Sequence, residues 1–431
     1  MFVLYGTPII VLSLPLPVAS VRTMISAARI LEHAEQLGQC SEQPDGLTRV
    51  YLSKEARAAN ALVLGWMRDA GMAARLDAIG NVVGRYEGDH PNLPCLMFGS
   101  HLDTVRNGGK YDGMLGVITP IECVRALHEA GRRLPFAIEV VGFADEEGVR
   151  YSSTFLGSRA IAGTFDVSVL DIRDRDGIAM RDAVTSFGLD PLAIPGAARR
   201  REEVLAYAEI HIEQGPVLEA EGLPVGVVTA INGFTRQRVT IKGMAGHAGT
   251  VPMRLRQDAL VAAAECVVAI ERIASSESDL VGTVGRIDAL PGAINVIPGE
   301  VRFTIDIRAP RDAQRLAAVV RAGEEIRAVC ARRKLLVTVE DLQTNGVARC
   351  APWLMTQLDE AVAASGLRVF RLPSGAGHDG QAMNTLTDIC MLFVRCKGGV
   401  SHNPAESITE EDAGIGAHVL ARFIEQFRPP I

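Results

Sequence analysis

A chain of 431 residues exceeds the size of one typical hydrophobic core, so two domains are expected. Its 48% apolar and 22% charged residues exclude a disordered or fibrous protein. A net charge of −7, with no dense Lys/Arg patch interleaved with aromatics, argues against nucleic acid as a partner.

The first 23 residues stand apart. Residues 2–21 carry no charge, lack the basic start of a signal peptide and are interrupted by Pro8, Pro15 and Pro17. Their length is marginal for a membrane span, so they read as an upstream extension or a mis-set start, and no membrane partner is expected. The eight cysteines are scattered without a Cys-x-x-Cys pair and sit mostly in apolar runs. A chain of this size does not need a disulfide framework, and the expected compartment is reducing, hence cytoplasmic.

Helical apolar spacing covers residues 24–38 and 53–73, with Leu62, Val63, Trp66 and Met67 on one face. A strand or hairpin follows at 76–86, a buried strand at 93–100, a helix at 114–130 and a second buried strand at 136–144. Strand, helix, strand in that order means a βαβ unit in a mostly parallel sheet, with ligands at the carboxyl ends of the strands. The first buried strand delivers His101 and Asp103, two residues apart and therefore on one side, so Asp103 can take the second ring N–H of His101. Asp112 follows between Tyr111 and Gly113. The second strand closes on Asp145, Glu146 and Glu147, a run of carboxylates hard to place unless one ligates a metal while its neighbour stays unligated as a base. A further strand, 207–212, carries His211, which shares a face with Glu213 and Gly215.

From about residue 227 the pattern changes to strand, helix, two strands at 280–289 and 301–307, helix, strand, a compact α+β block that interrupts the α/β pattern. It holds the Gly-rich loop around His247. The α/β pattern returns after Pro352, with a helix, a strand at 367–372, a loop at 374–380 containing His378, a buried strand at 389–394, a loop with His402 and a final helix at 409–427. The expected organisation is a catalytic domain of residues 24–225 and 343–431, with residues 226–342 inserted. His101, Asp112, Glu146, Glu147, His211 and His402 thus gather at strand or loop ends. Three histidines and three carboxylates match the mixed shell accepted by zinc or manganese, and the absence of cysteine ligands argues against a structural zinc.

The runs Gly99-Ser-His-Leu-Asp-Thr-Val105, Glu146-Glu-Gly-Val-Arg-Tyr151 and His211-Ile-Glu-Gln-Gly-Pro216 resemble the amidase/hydantoinase/carbamoylase family of dinuclear metal amidohydrolases. So do Gly246-His-Ala-Gly-Thr-Val-Pro-Met253, Ile294-Asn-Val-Ile-Pro-Gly299 and Ser401-His-Asn-Pro-Ala-Glu406. The resemblance implies an α/β metallopeptidase-like catalytic domain with a mixed sheet, interrupted by a ferredoxin-like α+β lid through which the chain forms a homodimer. It implies two divalent metal ions per subunit, zinc or manganese, with cobalt and nickel also fitting. Asp112 would bridge them, His101 and His211 would complete one site, and Glu147 and His402 the other. Asp103 would orient His101, and Glu146 would be the general base. His247 would reach the developing oxyanion from a partner subunit, Arg308 would grip a substrate carboxylate, and Gln214 and Asn295 would be amide partners. No role is assigned to His378. The implied reaction is hydrolysis of the carbamoyl C–N bond of a small ureido acid. Allantoate, giving ureidoglycine, ammonia and carbon dioxide, comes first, and an N-carbamoyl-L-amino acid or β-ureidopropionate second. An aminoacylase or dipeptidase is a more distant alternative, and a non-catalytic binding relative would need broken ligands, whereas all five are present.

Overall fold

The computed structural model describes residues 24–430, and the extension expected over 1–23 lies outside them. The strands Cys95–His101 and Ala137–Phe143 run parallel, in register from Cys95↔Ala137 to His101↔Phe143, with helix Met114–Glu129 between them in the chain. Every residue of both strands is buried, because both faces of the sheet are covered. Leu96, Phe98, Ile138 and Val140 face a core shared with helices Ala27–Gly38, Lys54–Asp69, Met114–Glu129 and Glu410–Gln426. Their alternates Cys95, Met97, Val141 and Phe143 face a second core with Ile161, Leu218 and Met383. That two-sided burial is why these strands read as unbroken apolar runs.

Among the described residues the large sheet has nine strands. Its order is Ala73–Leu76, Val82–Tyr86, Ala137–Phe143, Cys95–His101, Val204–Ile212, Ile389–Val394, Val225–Ile231 and Ala348–Arg349, and Arg371–Ser374 pairs with Val225–Ile231 off this path. Its four central strands, from Ala137–Phe143 to Ile389–Val394, are mutually parallel. Their carboxyl ends therefore share one edge. The outer pairs include antiparallel ones, so the sheet is mixed.

A second sheet of five strands is antiparallel throughout, with Ile287–Leu290, Glu300–Ala309, Gly233–Lys242 and Leu336–Asn345 in that order and Val281–Thr283 also on Glu300–Ala309. Burial alternates along Glu300–Ala309, as it should when one face alone is covered. The covering helices are Ala259–Ser275 and Asp312–Arg332, which share a core with Val239, Ile241, Val301, Phe303 and Ile305. Asp258 caps the first of them by accepting from the N–H groups of Leu260 and Val261.

Three details differ from expectation. The strand Val225–Ile231, which the expected boundary at 226 assigns almost wholly to the insertion, pairs in the large sheet. It is buried on both faces, unlike the one-sided strands of the second sheet. The single strand expected over 280–289 is two short ones, Val281–Thr283 and Ile287–Leu290, separated around Gly285. The strand expected over 367–372 lies at Arg371–Ser374. Among the described residues no helix is long and apolar enough to cross a membrane.

Candidate metal centre and substrate cavity

His101 is the last residue of its strand, and His211 lies one residue from the end of the neighbouring parallel strand. The Nδ1 of His101 lies 3.0 Å from the Asp103 carbonyl oxygen, and that of His211 lies 2.8 Å from the Ile212 carbonyl oxygen. A carbonyl only accepts, so each ring N–H is assigned to Nδ1. Each Nε2 then carries a lone pair, and the Gly113 N–H donates to that of His211 at 3.1 Å. Both Nε2 atoms face Asp112 Oδ1, at 3.4 Å and 3.3 Å. Lone pairs facing a carboxylate oxygen repel unless a cation lies among them.

The second oxygen of Asp112 repeats the pattern. His402 Nε2 is 3.2 Å from Asp112 Oδ2 and 3.4 Å from Glu147 Oε1. The potential ligand atoms thus form two groups, His101–Asp112–His211 and Asp112–Glu147–His402, each spanning no more than 4.8 Å and sharing Asp112. Glu146 groups with His101 and Glu147 but with neither pair of Asp112 partners.

Asp112 is fixed from several sides. Glu406 Oε1 accepts from the N–H groups of Tyr111 and Asp112, at 2.8 Å and 3.0 Å. The Ser401 hydroxyl lies 2.9 Å from Asp112 Oδ2 and 2.8 Å from Glu406 Oε2. Gln214 Nε2 donates to Asp112 Oδ2 at 2.8 Å. Gly113, with φ of 79°, lets the chain turn under the imidazole of His101, where an added Cβ would stand 2.5 Å from the ring.

Asp103 takes a different place from the one expected. Its backbone carbonyl, not its carboxylate, holds His101; the carboxylate is 3.7 Å from the ring. Instead Oδ1 and Oδ2 accept from the N–H groups of Glu146 and Glu147, at 2.9 Å and 3.1 Å, which sets the position of the acidic loop.

The electrostatics fit cations. Asp103, Asp112, Asp145 and Glu146 are buried, and Glu147 is partly so. Burial pushes the Glu146 carboxyl well above its usual range, with His101 working against the shift and Glu147 adding to it. Glu147 is pushed up to about 7, first by burial, with His101 opposing and the charges of Asp112 and Asp103 adding. Such a crowd of carboxylates needs positive charge, and imidazole with carboxylate is a donor set that zinc and manganese both accept.

Several contributors carried no local signal in the sequence. Arg49 is fully buried and donates from Nε to the Leu102 carbonyl at 2.6 Å, and from Nη1 to the Leu37 and Cys40 carbonyls. It thereby pins the peptide between His101 and Asp103. Glu209, two residues before His211, accepts from Ser100 and Tyr207 hydroxyls, each at 2.9 Å. His378, singled out in the sequence but without a role, packs its ring 4.5 Å from that of His211 and lies 2.7 Å from the Ser374 hydroxyl.

Beside the cluster opens a cavity of about 780 Å³, lined among others by Gln214, Asn232, Arg308, Ser401 and His402. Arg308 donates to both oxygens of Asp306 and to the Gly375 carbonyl, which leaves two of its five N–H groups. Gln214 Oε1 is buried without a hydrogen-bond partner among the described residues. His247 and Asn295 are exposed and sit apart from this cavity and from the ligand groups, on a small ribbon pairing Gly246–His247 with Val296–Ile297. There His247 Nδ1 accepts from the Gly249 N–H at 3.0 Å, which turns Nε2 to the outside as a donor.

A mixed α/β sheet with paired His/Asp/Glu ligand groups at its carboxyl edge defines a metal-dependent hydrolase, and the chain belongs to Peptidase family M20/M25/M40, whose profile matches residues 97–426. It is 43% identical over 408 residues to an N-carbamoyl-L-amino acid amidohydrolase of Geobacillus stearothermophilus, covering 94% of this chain and 99% of that one. It is 41% identical to an allantoate deiminase of Arabidopsis thaliana, covering 90% and 80%. An amidase of the hydantoinase/carbamoylase family from Burkholderia multivorans superposes with a TM-score of 0.87 at 31% identity, covering 93% and 97%. Within the family the chain is therefore an amidohydrolase of the carbamoylase and allantoate amidohydrolase type, acting on C–N bonds.

Proposed function

We propose that the chain hydrolyses the carbamoyl C–N bond of a ureido acid, releasing ammonia and carbon dioxide. The observation that carries this reading is the carboxylate of Asp112 shared between two ligand groups. His101, Asp112 and His211 would hold one divalent ion, and Asp112, Glu147 and His402 the other. Ions held there supply Lewis-acid polarisation of the scissile carbonyl and lower the pKa of the attacking water. Glu146 stands beside Glu147 outside both groups, so its carboxylate can take a proton from that water and pass it to the leaving nitrogen. Asp103 fixes the backbone of both glutamates. The two remaining N–H groups of Arg308 suit a substrate carboxylate on the cavity wall.

Allantoate is the first substrate of this reading, on the overall resemblance that includes the run Tyr151-Ser-Ser-Thr-Phe-Leu-Gly-Ser-Arg159 and on the likeness to allantoate deiminases. A second reading, an N-carbamoyl-L-amino acid, is favoured by the apolar part of the wall, where Val217, Val281, Phe370 and Leu372 would suit an aliphatic side chain. An ammonia-release assay on allantoate and N-carbamoyl amino acids, with deacylation of N-acetyl amino acids in parallel, tests both. Hydrolysis of the acetyl compounds alone would point to an aminoacylase and reject the ureido-acid reading. Chelation should abolish turnover, and zinc or manganese should restore it with two ions per chain by metal analysis. A fully active metal-free enzyme would remove both ions from the mechanism.

The unit expected over 226–342 is proposed as a lid and dimerisation domain, supported by its strand order, with its first strand, Gly233–Lys242, between Glu300–Ala309 and Leu336–Asn345. Met244, Met253 and Ile294 are exposed around His247 and Asn295, so a second copy covering this ribbon would bring both residues to a partner's cavity. His247→Ala should lower kcat about 10²- to 10³-fold, as loss of an oxyanion donor does, with metal content unchanged. Full activity of that variant, or of a strict monomer, would reject the arrangement. The eight free cysteines support the cytoplasmic location.

A further inference from the structure

Asn232 is 4% exposed, yet its side-chain Oδ1 has no hydrogen-bond partner among the described residues. Its main chain is fully engaged: the N–H donates to the Ser374 carbonyl at 2.9 Å, and the carbonyl accepts from Gln381 Nε2 at 3.2 Å. The residue is thus held rigidly while a strong acceptor is left unused, which is expensive in a protein interior.

Its position says what the acceptor is for. Asn232 lines the same cavity as Gln214, Arg308 and His402. It lies between the last strand residue of the large sheet, Ile231, and the first of the second sheet, Gly233. Phe234, two residues further on, is the cross-strand partner of Arg308. Asn232 binds Ser374 through its backbone, while Arg308 binds Gly375 at 2.9 Å, so the two flank one short segment of the wall. Gln214 Oε1 is a second buried oxygen without a partner on that wall. The wall of a cavity that already offers cationic nitrogen for a carboxylate thus holds two buried acceptors, and a turn of the Asn232 side chain about its Cα–Cβ bond would bring its oxygen to an N–H donor in that cavity.

Resting on the ureido-acid reading above, we propose that Asn232 is a specificity-determining residue that reads an N–H-bearing substituent on the α-carbon of the substrate. A second ureido group or a carboxamide is the class it fits. Such a group satisfies the orphaned oxygen, whereas an aliphatic side chain leaves it unpaired and must depend on Val281, Phe370 and Leu372 alone. A site built to hydrogen-bond its ligand discriminates more strongly than an apolar pocket does, because its polar groups are stranded by the wrong substrate.

The test compares kcat/KM of the wild type and Asn232→Leu on allantoate, N-carbamoyl-L-asparagine and N-carbamoyl-L-leucine. The variant should lower the preference for the first two over the third by about 10- to 100-fold, with the leucine compound hydrolysed as well as before or better. A folded variant with the ratio unchanged, or with all three substrates slowed equally, overturns the proposal and leaves the ureido-acid reading standing. A wild type that turns over none of the three overturns that reading and this inference with it. Should the leucine variant fail to fold, Asn232→Ala carries the same expectation and the same refutation.

Discussion

Glu146→Gln should lower kcat by about 10²- to 10⁴-fold, the usual worth of a positioned general base, with KM nearly unchanged and both ions retained. Glutamine has the size and shape of glutamate but cannot accept a proton. The position of residue 146 is set by its backbone N–H on Asp103 and by its carbonyl, which accepts from the Phe155 N–H, and neither changes in the variant. Since the Glu146 carboxyl belongs to neither Asp112 group, the ligand sets survive as well. Glu146→Asp shortens the side chain by one methylene and should fall between the two. Steady-state ammonia release beside metal analysis reads all of this. A glutamine variant within tenfold of the wild-type rate would remove Glu146 as the base.

The features legible in the sequence are those fixed by chain periodicity. Residues 93–144 announce a βαβ unit because strands covered on both faces must be apolar throughout, and a parallel sheet then gathers its strand ends on one edge. That single rule places His101, His211 and the acidic loop together. Side-chain partners across long sequence separations were not legible. Asp103 was expected to hold His101 by its carboxylate; which of its oxygens faces the ring depends on where the loop at 146–147 lies, and no periodicity encodes that. Arg49 has no local signature, since its role exists only once Leu37, Cys40 and Leu102 converge on it. Val225–Ile231 was expected to belong almost wholly to the insertion because composition changes near residue 227, although its burial on two faces, visible as an apolar run, pointed to the large sheet. The family resemblance gives Gln214 and Arg308 to the substrate, yet part of the hydrogen-bonding capacity of each is engaged by Asp112, Asp306 and Gly375. The orphaned oxygens of Gln214 and Asn232 emerge only from that accounting.

Asp112→Asn separates the bridge from the base, because it should do the reverse of the glutamine variant and lose metal along with rate. An asparagine can turn its Nδ2 toward the Nε2 atoms of His101 and His211, which accept, and its Oδ1 toward Gln214 Nε2 and the Ser401 hydroxyl, which donate. Every polar group then keeps a partner, so the fold should survive. What disappears is the negative charge common to both ligand groups and one of the two anionic oxygens that would face the ions. Bound metal should fall from two ions per chain to one or none. Losing several kcal/mol of charge stabilisation in the transition state corresponds to at least about 10³-fold in kcat/KM. Excess zinc or manganese should restore little of it, whereas a variant weakened only in one group, such as His402→Ala, should recover part of its rate as metal is added. If Asp112→Asn keeps two ions and most of its activity, the two groups do not share a bridging carboxylate, and the sites would have to be assigned separately.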